Sequence, residues 1–253
     1  MKYLIIISAI LITLLACKEQ KNNLLWSDEF NYTGLPDSTK WGNEVGYIRN
    51  NEQQYYTYRR LENSLVKDGY LMLIGRQEQF ENYSYTSASI NTLGKFSFKY
   101  GKVEARMKLP VGQGIWPAFW MMGENKPEVN WPRCGEIDVM EHINNTLMLV
   151  GTAHWHNEKH VSSGTSIPCD VREFHNYAVE WDQDSIRWLL DDSRYYAVCI
   201  KDSLNSTSEF HKPFYILLNL AIGGNWPKNP DSTTVFPDTV LVDYVRVFRN
   251  IPN

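Results

Sequence analysis

Along most of the chain apolar and polar residues alternate one by one. Val103, Ala105, Met107 and Leu109 take turns with Lys102, Glu104, Arg106 and Lys108, the period of a strand with one face buried. Ser185 to Asp191, Phe214 to Ile222 and Val240 to Phe248 read as further strands, the last two richer in apolar residues and so expected deeper in the protein. Turn-forming clusters punctuate these runs at Gly112–Gly114, Gly223–Asn225 and Asn229–Asp231. No stretch sustains three turns of a helical period, and no repeat, low-complexity tract or linker appears after residue 24. The pattern predicts an all-β fold, a two-sheet β-sandwich, in one domain over residues 24–253.

The first residues follow another pattern. Lys2 precedes an apolar run, Leu4 to Leu15, of about a dozen residues, too short for a bilayer that needs roughly 20. A cysteine stands directly after a small residue in Leu14-Leu15-Ala16-Cys17. Residues 1–16 therefore read as a lipoprotein signal peptide, Cys17 as the lipidated N-terminus and 17–23 as a polar tether; the simpler alternative is a secretory signal cleaved after Ala16. The expectation is an exported bacterial lipoprotein at the outer membrane or cell surface, meeting membrane through its lipid anchor only and otherwise monomeric, or else a secreted protein.

Net charge is −4, with both signs interspersed, which gives no basic face for nucleic acid. Cys134, Cys169 and Cys199 show no ligand spacing, so zinc is not expected. An odd number permits at most one bridge, with Cys169 and Cys199 as the candidate pair and no bridge as the alternative. Nine Trp and fifteen Tyr exceed what a core needs, and flat aromatic faces suit sugar rings.

The chemistry concentrates in Gly135-Glu136-Ile137-Asp138-Val139-Met140-Glu141-His142. On a strand, Glu136 and Asp138 share one face and Ile137 and Val139 the other. Strict alternation would send Glu141 into the core, where an unpaired carboxylate is expensive. A β-bulge at Val139–Met140 returns Glu141 to the acidic face. A helix fails, since at ~100° per residue Glu136 and Glu141 would diverge by roughly 140°. Three acids in line repel one another, a cost that a solvated structural edge has no reason to bear. The bulged strand separates the two Glu Cα atoms by roughly 13 Å, and side chains leaning inward approach the ~5–5.5 Å carboxyl spacing of retaining glycoside cleavage. Asp138 between them can share a proton and hold the pair in different ionisation states.

The run resembles the E-x-D-x-x-E signature of glycoside hydrolase family 16, in the bulged form of its laminarinases (endo-β-1,3-glucanases). Further segments match in family order: Leu25 to Asn31, Asn50 to Thr57, Tyr100 to Arg106 leading into Gly114 to Met121, Asn219 to Pro227, and Asp243 to Val247. The resemblance implies a jelly roll with a concave glycan-binding cleft. It makes Glu136 the nucleophile, Glu141 the acid/base and Asp138 an assisting acid, roles that spacing alone does not separate. It implies a retaining endo-hydrolase of β-1,3-glucan, with no cofactor for catalysis. Relatives acting on mixed-linkage β-glucan or on agar and carrageenan are the alternatives, as is a non-catalytic glycan-binding lipoprotein, against which retention of the three acids speaks.

Trp116 and Trp131, flanking the acids, are candidate sugar platforms, with core packing as the bland alternative. Trp120, in an apolar run, is assigned to the core. Trp226 belongs on a rim loop. Asn50 matches a sugar-contacting asparagine of the family; His154 is placed on the strand beyond the acids, to bond sugar or Glu141, and Arg133 on the same rim. The segments placed in the cleft are not basic. The family often holds a structural calcium on an aspartate and on carbonyl oxygens near the opening strand and a D-G turn, for which Asp243, Glu29 and Gly69 are the matching positions. Asp243 shares strand parity with Leu241, Val245 and Val247 and needs either that ion or an Arg/Lys partner. One departure stands out: where the family's segment carries an arginine, this chain has Ser89.

Overall fold

A computed structural model describes residues 23–249; the signal segment, Cys17 and most of the tether lie outside the described residues. Seventeen strands are found there. In chain order they are β1 (Leu24–Asp28), β2 (Gly42–Asn43), β3 (Gln54–Tyr56), β4 (Ser64–Lys67), β5 (Tyr70–Phe80), β6 (Tyr83–Ser87), β7 (Ser89–Asn91), β8 (Gly101–Lys108) and β9 (Ile115–Gly123). There follow β10 (Glu136–Glu141), β11 (Met148–Asn157), β12 (Lys159–Pro168), β13 (His175–Trp181), β14 (Ser185–Leu190), β15 (Ser193–Cys199), β16 (Phe214–Ile222) and β17 (Asp238–Phe248). One short helix (Lys126–Val129) and an irregular 3₁₀ segment (Lys201–His211) complete the described secondary structure. The strands form two sheets. One runs β15-β14-β13-β8-β17-β5-β6-β3, with β1 and β4 added on β17 and β5, and the other β12-β11-β10-β9-β16-β7-β2. The expected all-β sandwich is the architecture observed.

The alternation explains the packing. Val103, Ala105 and Met107 of β8 turn inward, and Ile216, Leu218 and Leu220 of β16 meet them in one continuous core. β16 is buried along both faces, because its other side joins a second apolar cluster of Ala118, Trp120, Met122, Cys134, Tyr215 and Leu217. That second cluster is the floor of a cleft. The nine tryptophans divide accordingly: Trp26, Trp41, Trp155, Trp181 and Trp188 belong to the central core, while Trp116, Trp120, Trp131 and Trp226 do not. Trp120 is buried as expected, but in the cleft floor rather than between the sheets.

Of the cysteine alternatives the one without a bridge is found, and one expectation, for Asp243, fails. Cys169 and Cys199 are both free thiols; Cys169 is buried at the end of β12, whereas Cys199 is exposed at the end of β15. Asp243 does not share its face with Val245 and Val247. The β17–β8 register slips between Val242 and Tyr244, so Asp243 is a bulge residue, and Val240, Val242, Val245 and Val247 fill the core instead. A one-residue slip flips every later side chain, which is why parity counted straight through misplaced Asp243.

Candidate active site

The bulge expected in the acidic strand is present. Asp138 pairs with Trp120, but the next paired residue is Met140, opposite Phe119, and then Glu141 opposite Ala118. Val139 and Met140 are both buried in the core, together with Ile137, so the extra residue goes to the interior and all three acids face the cleft. A tryptophan from the opposite sheet braces the irregularity: Trp188 Nε1 donates to the Asp138 carbonyl at 2.8 Å, supplying a donor to backbone that a bulge leaves outside regular pairing. The indole fits only because position 151 is glycine; a Cβ there would stand 2.6 Å from Trp188 Cδ1 and 2.5 Å from Tyr195 Oη.

The cleft is about 290 Å³, lined among others by Asn50, Glu52, Trp116, Trp120, Trp131, Glu136, Asp138, Glu141 and Asn219. Each acid has different company. Trp116 Nε1 donates to Glu141 Oε1 at 3.0 Å, and Trp116 packs edge-on against Trp226, with ring centres 5.4 Å apart. Glu136 lies opposite His154 in the β10–β11 ladder and takes a hydrogen bond from Trp131. His154 Nε2 stands 3.1 Å from Asp138 Oδ2 and 4.0 Å from Glu136 Oε1. His154 thus serves Asp138 and Glu136, not Glu141. Its Nδ1 meets His160 Nε2 at 2.9 Å, and Trp131 packs on His160 at 4.6 Å.

Burial dominates the electrostatics. Desolvation, reinforced by the Asp138 charge, pushes Glu136 up to about 8, while His154, Arg49 and the Trp131 bond pull the other way. Desolvation also raises Asp138, opposed by its hydrogen bond with Glu136. Glu141 is raised well above the ordinary carboxylate range by desolvation first and by Asp138 next, and Glu136 adds to the same push. The trio therefore retains protons into the neutral range, and its members titrate as a coupled set. Such an arrangement can present one ionised carboxylate and one carboxylic acid at the same moment, which is what acid-assisted nucleophilic displacement requires.

Some residues missed from sequence belong to this site. Glu52, 5% exposed, takes hydrogen bonds from Gln54 (2.7 Å), Asn50 (3.2 Å) and Tyr56 (3.3 Å), and burial raises its pKa. Asn219 Oδ1 accepts from Trp120 Nε1 at 2.7 Å. Both stood in segments already singled out, so position in a motif was the available signal. Arg49 and Lys126 also line the cleft, which corrects the expectation that it lacks basic residues. Arg133 is exposed and is not among the lining residues. Trp226 is 41% exposed and reaches the cleft through Trp116, at the rim.

Of the positions matched for calcium, Asp243 carries the Arg partner that was the alternative to an ion. Arg106 Nη1 donates to Asp243 Oδ2 at 2.6 Å, and Arg246 makes a two-bond pair with Glu29 at 2.9 and 2.7 Å. Gly69 lies in the β4–β5 turn and, like Glu29, matches the family through its backbone carbonyl. A guanidinium on the one carboxylate expected to hold the cation places positive charge where a cation would bind, so the ion-pair alternative is the one observed. Among the described residues the His and carboxylate groups that converge to metal-ligand distance are Glu136, Asp138 and His154, and these are the site itself.

A β-sandwich with three carboxylates across a bulge, in a cleft walled by tryptophans, defines a glycosidase. Comparison with known proteins agrees at each level. The family model described as glycosyl hydrolases family 16 matches residues 42–246. A beta-glucanase from Rhodothermus marinus is 40% identical over 242 residues, covering 89% of this chain and 85% of the relative. The crystal structure of the laminarinase from Rhodothermus marinus superposes with a TM-score of 0.85 at 40% identity, over 91% of this chain and 98% of that one. An endo-beta-1,3-glucanase from Pyrococcus furiosus gives 0.82 at 38% identity, over 91% and 95%. The chain belongs to glycoside hydrolase family 16.

Proposed function

We propose that the protein is a retaining endo-β-1,3-glucanase of the laminarinase kind, working by double displacement. The observation that carries the reading is the bulged row of Glu136, Asp138 and Glu141 with unlike partners on each acid. Of the two glutamates, Glu136 is the one that the Arg49 charge and the Trp131 hydrogen bond favour as an anion, so it is the one to lose its proton and attack the anomeric carbon. Glu141 is flanked by the charges of Asp138 and Glu136, which keep it protonated for donation to the leaving oxygen. Once the sugar is bound to Glu136, Glu141 is a carboxylate and takes a proton from the incoming water. Asp138, within reach of His154 and bonded to Glu136, takes up charge as Glu136 changes between ion and ester.

The relatives named laminarinase and endo-β-1,3-glucanase support the choice of linkage, and the open, aromatic-walled cleft suits the interior of a polymer. Product analysis on laminarin, lichenan, agarose and κ-carrageenan tests it: laminarin should fall to short oligosaccharides with retained anomeric configuration, and preference for another of the four would overturn the substrate. Glu141→Gln should still be glycosylated by an activated aryl glycoside and be rescued by azide with retention, whereas Glu136→Gln with azide should give the inverted product. The reverse pattern would exchange the two roles. Export as a monomeric lipoprotein anchored at Cys17 completes the reading; Cys17→Ser should move the protein from membrane to soluble fraction in a lipoprotein-processing host.

A further inference from the structure

One side of the cleft carries a feature that the displacement does not use. Arg49, between β2 and β3, makes a two-bond ion pair with Glu44: Nη1 donates to Oε1 at 2.9 Å, and Nη2 donates to Oε2. Ser89 of β7 donates its hydroxyl to the same Glu44 Oε2 at 2.7 Å. The guanidinium carbon lies 5.0 Å from the Trp120 ring centre, so indole on one side and Glu44 on the other fix its plane. Arg49 nevertheless lines the cleft. Of the five N–H donors of a guanidinium, two are taken by Glu44, and among the described residues no other acceptor hydrogen-bonds to Arg49.

We propose that Arg49 is a specificity-determining residue that donates its free N–H groups to hydroxyl oxygens of an uncharged sugar, while Glu44 denies the cleft to anionic sugars. This deepens the reading above and rests on it. An unpaired arginine prefers carboxylate or sulfate, which it grips with two parallel bonds. Here Glu44 already occupies that fork. An incoming anion would therefore meet a guanidinium whose two-bond site is filled by a carboxylate, whereas a neutral hydroxyl meets a rigid, pre-oriented donor that loses little freedom on binding.

The test measures dissociation constants by calorimetry in the Glu136→Gln background, which binds without hydrolysing. The probes are a neutral β-1,3-gluco-oligosaccharide and its carboxymethylated counterpart. Arg49→Ala should weaken the neutral ligand by roughly tenfold to hundredfold, the cost of losing hydrogen bonds from a charged donor. Arg49→Lys, which keeps the charge without the fork, should fall between the two. Glu44→Gln, nearly isosteric, should shift the neutral-to-carboxymethyl affinity ratio at least about tenfold toward the anionic ligand, by freeing a charged fork. An unchanged ratio in folded Glu44→Gln, or a lysine that binds the neutral ligand as tightly as Arg49 does, would overturn the proposal; if Arg49→Ala fails to fold, these two measurements still decide. Failure of the substrate reading is separate, because it appears as absent cleavage of laminarin by the unmodified protein. The same ratios are then measured on whichever neutral glycan that protein cleaves.

Discussion

Replacing Trp188 by phenylalanine should cost both stability and turnover, in proportions that identify what the indole does. Trp188 is fully buried, and its Nε1 donates to the carbonyl of Asp138 at 2.8 Å. Phenylalanine leaves that carbonyl without its donor, at a cost of about 1–3 kcal/mol. It also removes part of a ring whose complete truncation costs about 3–5 kcal/mol, of which roughly a third is lost here. The sum is on the order of 2–4 kcal/mol, a fall of roughly 5–15 °C in Tm for a domain of this size. The bulge should relax as well. Displacing a catalytic group by about 1 Å can lower turnover on the order of a hundredfold, so kcat should fall at least about tenfold at temperatures where the variant is folded. Trp41→Phe is the matched control, since Trp41 is likewise buried and donates to the Asp28 carboxylate at 2.9 Å, with Trp26 and Phe30 rather than the acidic strand as its ring neighbours. It should lose similar stability and keep most of its kcat. Scanning calorimetry and laminarin kinetics on both variants would decide; equal kcat losses would refute the idea that Trp188 holds the bulge.

Other expectations follow from the same geometry. Because Glu136 is raised from the ordinary carboxylate value to about 8, the folded state binds more protons than the unfolded one between those values, so its contribution to stability falls as pH rises through that window. Glu136→Gln should therefore melt several degrees above the parent at pH 8 and level with it near pH 4; a gain at pH 4 instead would contradict the sign. Deleting Met140 should return Glu141 to the core side or force a register change, abolishing activity well beyond any loss of folding, and near-normal turnover in a folded deletion would refute the strand geometry. Gly151→Ala should destabilise by at least a few kcal/mol, since its Cβ would have to displace the Trp188 and Tyr195 rings; a melting point within a degree of the parent would show that they can yield. Chelator followed by calcium should leave the melt unchanged, because Asp243 is held by Arg106, and a calcium-dependent rise would place a cation there.

What the chain determined by itself was local and periodic. Alternation over Lys102–Leu109 placed Val103, Ala105 and Met107 in the core, and the doubly apolar run Phe214–Ile222 became the strand buried on both faces. The bulge at Val139–Met140 was legible because its absence would have buried a charged glutamate, a penalty large enough to decide between two registers. The same penalty bore on Asp243, but there an ion or an Arg partner offered another way to meet it, so nothing forced a bulge and straight parity misplaced the residue. Trp120 shows the other limit. Its neighbours say only that it is apolar and buried, and the second sheet face, built by residues almost a hundred positions away, decides that it forms the cleft floor under Arg49. The arginine itself sat in plain view beside Asn50. Whether it serves solvent or substrate depends on Glu44, five residues before it, being held in place by Ser89 of β7, and that long-range contact is set by the fold rather than by any spacing along the chain.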